Sequence, residues 1–218
     1  MRRTGGAGAA AVTQPGVKPQ SNITYEAIDA EAVVVATFAK VNRVDLDDVP
    51  GLMADLQNNA LRYDVLHAVE ALLVAEILGT TGLLAPNVSA DTNVPDKLLT
   101  AVGVLTASGV QPNFVALNPQ DATEAYKQRE GTDGAYVAGS PWDKLPPVVQ
   151  SPALTAGEAL VGDSRVGAAL GVRQGVTVSV GTESDDLIRN IATVLLEGRW
   201  APMVLQPAAL AHIDLATP

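Results

Sequence analysis

The residues able to do chemistry in this sequence are few and scattered. Histidine occurs twice, at His67 and His212, far apart in the chain. Cysteine is absent, which removes disulfides, thiolate metal sites and a thiol nucleophile. Asp185-Asp186 offers adjacent carboxylates that could hold a cation, but they sit in an acidic bend at 182–186 whose composition suits a solvated turn. The Gly5-Gly6-Ala7-Gly8 run has no strand pattern before it and no helix pattern after it, so it is not a dinucleotide fingerprint. No HExxH, phosphate-cradling or GxSxG pattern occurs. His67 falls on a helical stretch where a solvated position is the plain reading. Nothing here assembles a nucleophile, a base and an orienting group, so no cofactor, metal or catalytic site is expected.

The elements that would position such residues are clearer. The chain is organised around residues 47–79. Leu52, Leu56, Leu61, Val65, Leu66, Val69, Leu72, Leu73 and Ile77 recur at helical steps, with Asp55, Asn58, Arg62, His67 and Glu70 between them. That pattern predicts an amphipathic helix of about thirty residues, roughly 45 Å long. Asp47-Asp48 are expected to cap its start, Pro50 to sit in its first turn, and Gly79 to end it, with Gly82 in the exit turn.

With 218 residues and 47% apolar side chains, the chain can bury a real core. Two Phe and two Trp leave that core to Val, Leu, Ile and Ala. No apolar run approaches the ~20 residues of a membrane span. Arg2-Arg3 precedes a Gly/Ala run too weakly hydrophobic for a signal peptide. A net charge of −10 argues against a dedicated nucleic-acid binder, while remaining compatible with a protein that encloses or merely lies near nucleic acid.

Before the helix, residues 1–22 read as an exposed arm. Residues 23–44 read as a long strand, with Val33, Val35, Thr37, Ala39 and Val41 alternating. After it come a loop at 84–95, a helix from Pro95 to the stop at Gly109, a buried strand at 114–117 and a short helix capped by Asp121. A turn at 130–134 follows, and a new extended piece starts at Tyr136-Val137. From Pro141 onward the texture is of short strands and tight turns. Apolar stretches at 187–196 and 203–215 are separated by Gly198 and Pro202. There is no internal repeat.

At the C-terminal half the sequence resembles the end of tailed-phage major capsid proteins. The residues that carry the resemblance are Trp142, Leu145, Pro146, Val148 and Val149, then Gly162-Asp163, then Arg199 and Pro207-Ala208-Ala209. Upstream, LNPQD at 117–121 resembles the family's Asn-Pro-x-Asp turn, with Ala122 where a Trp often follows. The long helix resembles the family's spine helix, and VKPQSNITYEAI resembles the returning strand of its extended loop. The resemblance covers about residues 14–215 and implies an α+β capsid fold of the Hong Kong ninety-seven type. In that fold residues 1–32 would be part of the extended loop or arm. Residues 33–90 and 183–218, with spine helix 48–79, would form a peripheral domain of long antiparallel strands. Residues 91–182 would form an α/β axial domain. The family has an arm and an outgoing strand before the Lys-Pro strand, whereas this sequence starts inside that loop. The missing half is therefore expected to be truncated, supplied by another chain, or absent, and the returning strand to be an unpaired edge.

The resemblance also implies a candidate crosslink. In one well-known member a Lys of the extended loop joins a neighbour's Asn with the help of a Glu. By motif these positions are Lys18, Asn190 and Glu197. A neutral amine would attack the carboxamide and expel ammonia while the Glu moves protons. Against this, residues 190 and 197 of a regular strand point to opposite faces, and structural roles for all three are the expected reading. The family implies a structural protein that assembles with itself into pentamers and hexamers of an icosahedral virion shell built in the bacterial host cytoplasm. Scaffold, protease, portal or decoration proteins are its partner classes; packaged DNA is touched without sequence specificity, and no membrane is involved. The rivals are a nanocompartment shell of the same fold and a small oligomeric α/β enzyme.

Overall fold

The computed structural model describes residues 2–3, 9–127 and 142–215. The turn at 130–134, the extended piece at Tyr136-Val137 and the Gly5–Gly8 run lie outside the described residues. Strands β1 (Arg2–Arg3) and β2 (Tyr25–Glu26) pair antiparallel, so the expected returning strand has a partner within this chain. The predicted strand at 23–44 is two pieces: β2, and β3 over Val33–Asn42.

The long helix forms, but not at its expected start. Asn42 caps a separate short helix, α1 (Arg43–Asp48), by accepting from Val44 N at 3.0 Å. Asp47-Asp48 close that helix instead of capping the next one. Pro50 lies in the turn between them, and Gly51 (φ 87°) makes the left-handed step that starts α2 (Leu52–Asp55). A π-helical segment, Leu56–Leu61, follows, and α3 (Arg62–Gly79) completes the beam. The π segment has a reason in the sequence. Leu56 and Leu61 are five residues apart, one more than an α-helical turn brings onto one face, and the wider turn restores the register. Leu61, Val65, Val69 and Ile77 are buried along it, whereas Leu66 is 47% exposed.

The beam packs on a three-stranded antiparallel sheet in the order β3–β8–β7. Strand β7 spans Ala168–Gly181 and β8 spans Ile191–Val204. β8 runs without interruption through Gly198 and Pro202, the residues expected to break it. The last β3 pair is Val33↔Trp200, so Pro202 stands where that side of β8 is an open edge and no ladder donor is needed. Alternate residues Val194, Leu196 and Trp200 pack against Leu61, Val65 and Val69. Two register shifts in β7, between Val172 and Gln174 and between Gln174 and Thr177, bend that strand.

A second sheet has the order β5–β4–β6–β9, with β4 at Phe114–Leu117, β5 at Val148–Gln150, β6 at Glu158–Gly162 and β9 at Leu210–Asp214. Helix α4 (Val94–Ala107) covers it, burying Leu98, Ala101 and Leu105. Asn118, not Asp121, caps α5 (Pro119–Tyr126), accepting from Gln120 N at 2.9 Å. Asp121 instead accepts from Gly157 N at 2.8 Å, tying the helix to the turn before β6. Trp142 begins a 3₁₀ turn rather than a strand. Hydrogen bonding does not follow the expected boundary at 182/183. β7 belongs to the sheet of the long helix, and β9, from the tail, belongs to the sheet of the middle segment.

Candidate functional site

The face of the three-stranded sheet turned away from the helix carries the residues that can meet another surface. Val34 and Phe38 are exposed there, and Arg199 lies opposite Val34 on β3 and Gln174 on β7. Side chains directly opposite across an antiparallel pair share a face. Ala36, Glu197 and Thr177 therefore form one row across the sheet, and Phe38, Leu195 and Ser179 the next. A single exposed apolar side chain means nothing, but this run is contiguous.

The turn joining β7 to β8 projects at one end of that face. Leu187 is 65% and Ile188 84% exposed at its tip. What holds the tip is Asp186, which is buried rather than solvated. Its carboxylate accepts from Lys40 Nζ at 3.0 Å, Thr193 Oγ1 at 2.9 Å and Glu183 N at 3.1 Å. The hydrogen bond from Lys40 holds the Asp186 carboxyl below the usual carboxylate range, and the same bond raises Lys40 above the usual lysine value. Asp185 pairs with Arg189 at 2.8 Å. The acidic pair is therefore spent on protein cations. Among the described residues no cluster of three or more His, Asp or Glu could hold a metal ion.

The residues of the implied crosslink are placed as follows. Lys18 is exposed in the arm. Asn190 is the last residue of the tip, in a left-handed conformation (φ 60°), and its carbonyl accepts from Arg43 N at 2.9 Å. Glu197 is half-buried on β8, in the outward row beside Ala36 and Thr177. Seven steps of extended chain separate Asn190 from Glu197 by roughly 24 Å at about 3.4 Å per residue. One copy of the chain does not bring them together. His67 stacks edge-on to Tyr63, ring centres 6.0 Å apart, on the helix. His212 Nε2, on β9, is buried 3.5 Å from Glu158 Oε1 on β6. No helix among the described residues is long and apolar enough to cross a membrane.

Two of the motif fragments meet in space. Asp163 N donates to Ala209 O at 3.1 Å, joining Gly162-Asp163 to Pro207-Ala208-Ala209. A Cβ on Gly162 would stand 2.6 Å from Leu210 Cδ2 and 2.7 Å from Ala209 O, so only glycine fits this joint. Asp163 also takes both Nε and a terminal nitrogen of Arg165 at 2.9 Å, and this pairing lowers its pKa. Leu84, past the end of α3, bonds to Leu210 O and receives His212 N. The joint thus fastens the spine helix exit, β6 and β9 at one point. Sequence reading had the motif but not its meaning, because the contact spans some 45 residues.

No family model matches the chain. Among curated proteins, the major capsid protein of Enterobacteria phage HK97 is 27% identical over 219 residues, covering 91% of this chain. The chain spans 56% of that relative's length. Among solved structures, one from Microbacterium phage Oxtober96 superposes with a TM-score of 0.68 at 14% identity, covering 97% of this chain and 82% of that one. The capsid of a native GTA particle gives 0.67 at 17% identity, covering 97% and 81%. A virus-like particle from Pyrococcus furiosus gives 0.64 at 15% identity, covering 90% and 80%. The fold is that of the phage HK97-type capsid proteins, and the expected α+β class and the resemblance to that family hold.

Proposed function

We propose that this chain is a major capsid protein of a tailed phage or prophage, a subunit that assembles with copies of itself into a closed icosahedral shell around DNA. The observation that carries this reading is the match to one phage's major capsid protein along nearly the whole chain. Two features of the surface agree with it. The outward sheet face exposes Val34 and Phe38, and the tip exposes Leu187 and Ile188. Such patches mark surfaces covered in an assembly.

The unit that carries the long helix and the β3–β8–β7 sheet is the peripheral domain of this reading. The axial domain is α4, β4, α5, β5, β6 and the returning β9. The pentamer and hexamer contacts fall between copies, so burial between subunits holds the shell. Contact with packaged DNA is sequence-independent, as the net charge of −10 suits. Lys18, Asn190 and Glu197 take structural roles. A covalent site would need Asn190 of one copy and Glu197 of another, since the two are far apart within one chain. Assembly takes place in the host cytoplasm; scaffold, protease and portal proteins remain the partner classes the family implies.

The test is negative-stain microscopy of the expressed chain with analysis of the contents. Closed shells that package DNA in infected or induced cells are the expected result. The likeness to a virus-like particle keeps a second reading, a nanocompartment shell, and shells filled with protein cargo would favour it. A compact oligomer of a few subunits by light scattering would overturn both in favour of a small α/β enzyme.

A further inference from the structure

A cleft of about 290 Å³ runs between the spine helix and both sheets. Leu73, Val74 and Ile77 of α3 form one wall. Phe114 of β4, Leu160 of β6 and Ala168 of β7 form the other. Its size sits at the lower end of small-molecule pockets, about 300–1,000 Å³. The lining is apolar but for three side chains, Glu70, Ser151 and Ser164. Ser151 is 4% exposed, and its hydroxyl donates to Glu70 Oε1. Glu70 also borders a second hollow of about 230 Å³, lined by Tyr63, Leu66, His67 and Pro152.

Glu70 is the unusual group. It is half-buried, carries a formal negative charge and has no cation within ion-pairing distance among the described residues. Its hydrogen-bond partner among the described residues is one neutral hydroxyl, which uses a single acceptor position of a carboxylate that has about four. A half-buried carboxylate in the lining of a mostly apolar cleft selects a ligand with a hydrophobic body and a positive end. The body removes the Leu73, Ile77 and Phe114 surface from water, and the ammonium meets the free oxygen of Glu70 in a setting less screened than bulk water.

We propose that this cleft is a binding site for a small amphiphilic amine, a compact apolar body bearing one ammonium group that pairs with Glu70. The site lies within one chain and does not depend on whether the chain forms shells. Because its walls come from the helix and from both sheets, an occupant ties them together and stabilises the folded chain by mass action.

The test uses the full chain and three compounds of one shape: 1-adamantylammonium, 1-adamantanol and adamantane-1-carboxylate. Binding is read by titration calorimetry and by the rise in thermal midpoint with ligand concentration. The ammonium is expected to bind at one site, at least tenfold more tightly than the alcohol, and the carboxylate more weakly still. Glu70→Gln should erase the preference for ammonium over alcohol while leaving alcohol binding in place. Ala168→Leu, which fills the cleft, should abolish binding of all three; should that variant not fold, Glu70→Gln decides alone. No saturable binding of the ammonium to the native chain would overturn the proposal. So would equal affinity for the ammonium and the carboxylate, or a preference that survives Glu70→Gln.

Discussion

Lys40 Nζ and Asp186 Oδ1 stand 3.0 Å apart although 146 residues separate them in sequence. One lies near the end of the edge strand β3, the other in the turn that joins β7 to β8. With Thr193 Oγ1 and Glu183 N on the same carboxylate, this pair fixes the projecting tip to the sheet. The next contact along, Arg43 N to Asn190 O, starts α1 from the same tip.

The clamp sets a pH window. The folded pKa of Asp186 is depressed, so its contribution is present above the unfolded value and lost as pH falls through the folded one. The folded pKa of Lys40 is raised, so its contribution is present below the unfolded value and lost as pH rises through the folded one. The stability difference between the native chain and Asp186→Asn should be flat from about pH 5 to about pH 10 and shrink at both ends. Urea unfolding across that range measures it. A difference that grows on acidification would show that the carboxylate does not act through its charge.

Gly198 should not tolerate a methyl group. A Cβ there would overlap the Trp200 ring, which lies over the strand. Gly198→Ala should cost about 1–3 kcal/mol through overpacking. Gly79 closes α3 with nothing within 4 Å of an added Cβ, and Gly79→Ala should gain about 0.4–1 kcal/mol. Denaturant melts of the unassembled chain report both signs.

Leu196 is 1% exposed, on the central strand beneath the long helix with Leu61, Val65 and Val69. Leu196→Ala should lower stability by about 2–5 kcal/mol, the usual cost of a buried leucine and its cavity. An unchanged dependence of stability on denaturant concentration would confirm that the folded and unfolded states themselves are as before.

A denaturing gel of purified assemblies should show monomer, both for the native chain and for Lys18→Ala. A ladder in the native chain that disappears in the variant would instead assign Lys18 a covalent role.

Arg62 is exposed on the helix and makes no ion pair among the described residues. Arg62→Glu should leave the stability of the single chain within about 0.5 kcal/mol, as for most surface changes. If the polar face of the helix meets neighbouring copies, the same variant should lower the yield of assembled particles by sedimentation. Unchanged assembly would return Arg62 to a solvated face.

Local pattern decided much of this protein. The apolar repeat at 52–77 dictated the long helix, and the alternation at 33–41 dictated β3, because each element must bury one face. The Gly79 stop was equally legible, whereas the cap of α5 was not: Asp121 has the right side chain, but Asn118 takes the role and Asp121 reaches Gly157 instead. Where the helix begins was not legible, because Asp47-Asp48 suit a cap as well as they suit the end of a preceding short helix. Only the cap at Asn42 and the left-handed step at Gly51 decide the matter. The sequence showed an Asp185-Asp186 pair but could not say that Asp186 is buried on a lysine 146 residues away. Nor could it show that β9 returns to pair with β6, or that Gly162 is a glycine because Leu210 presses on it. Those are contacts between distant segments, and composition carries no record of which distant segment arrives. The residues named for a crosslink stand at the same limit. Their types and order came from the sequence, while the strand that holds Asn190 and Glu197 apart exists only once the sheet has formed.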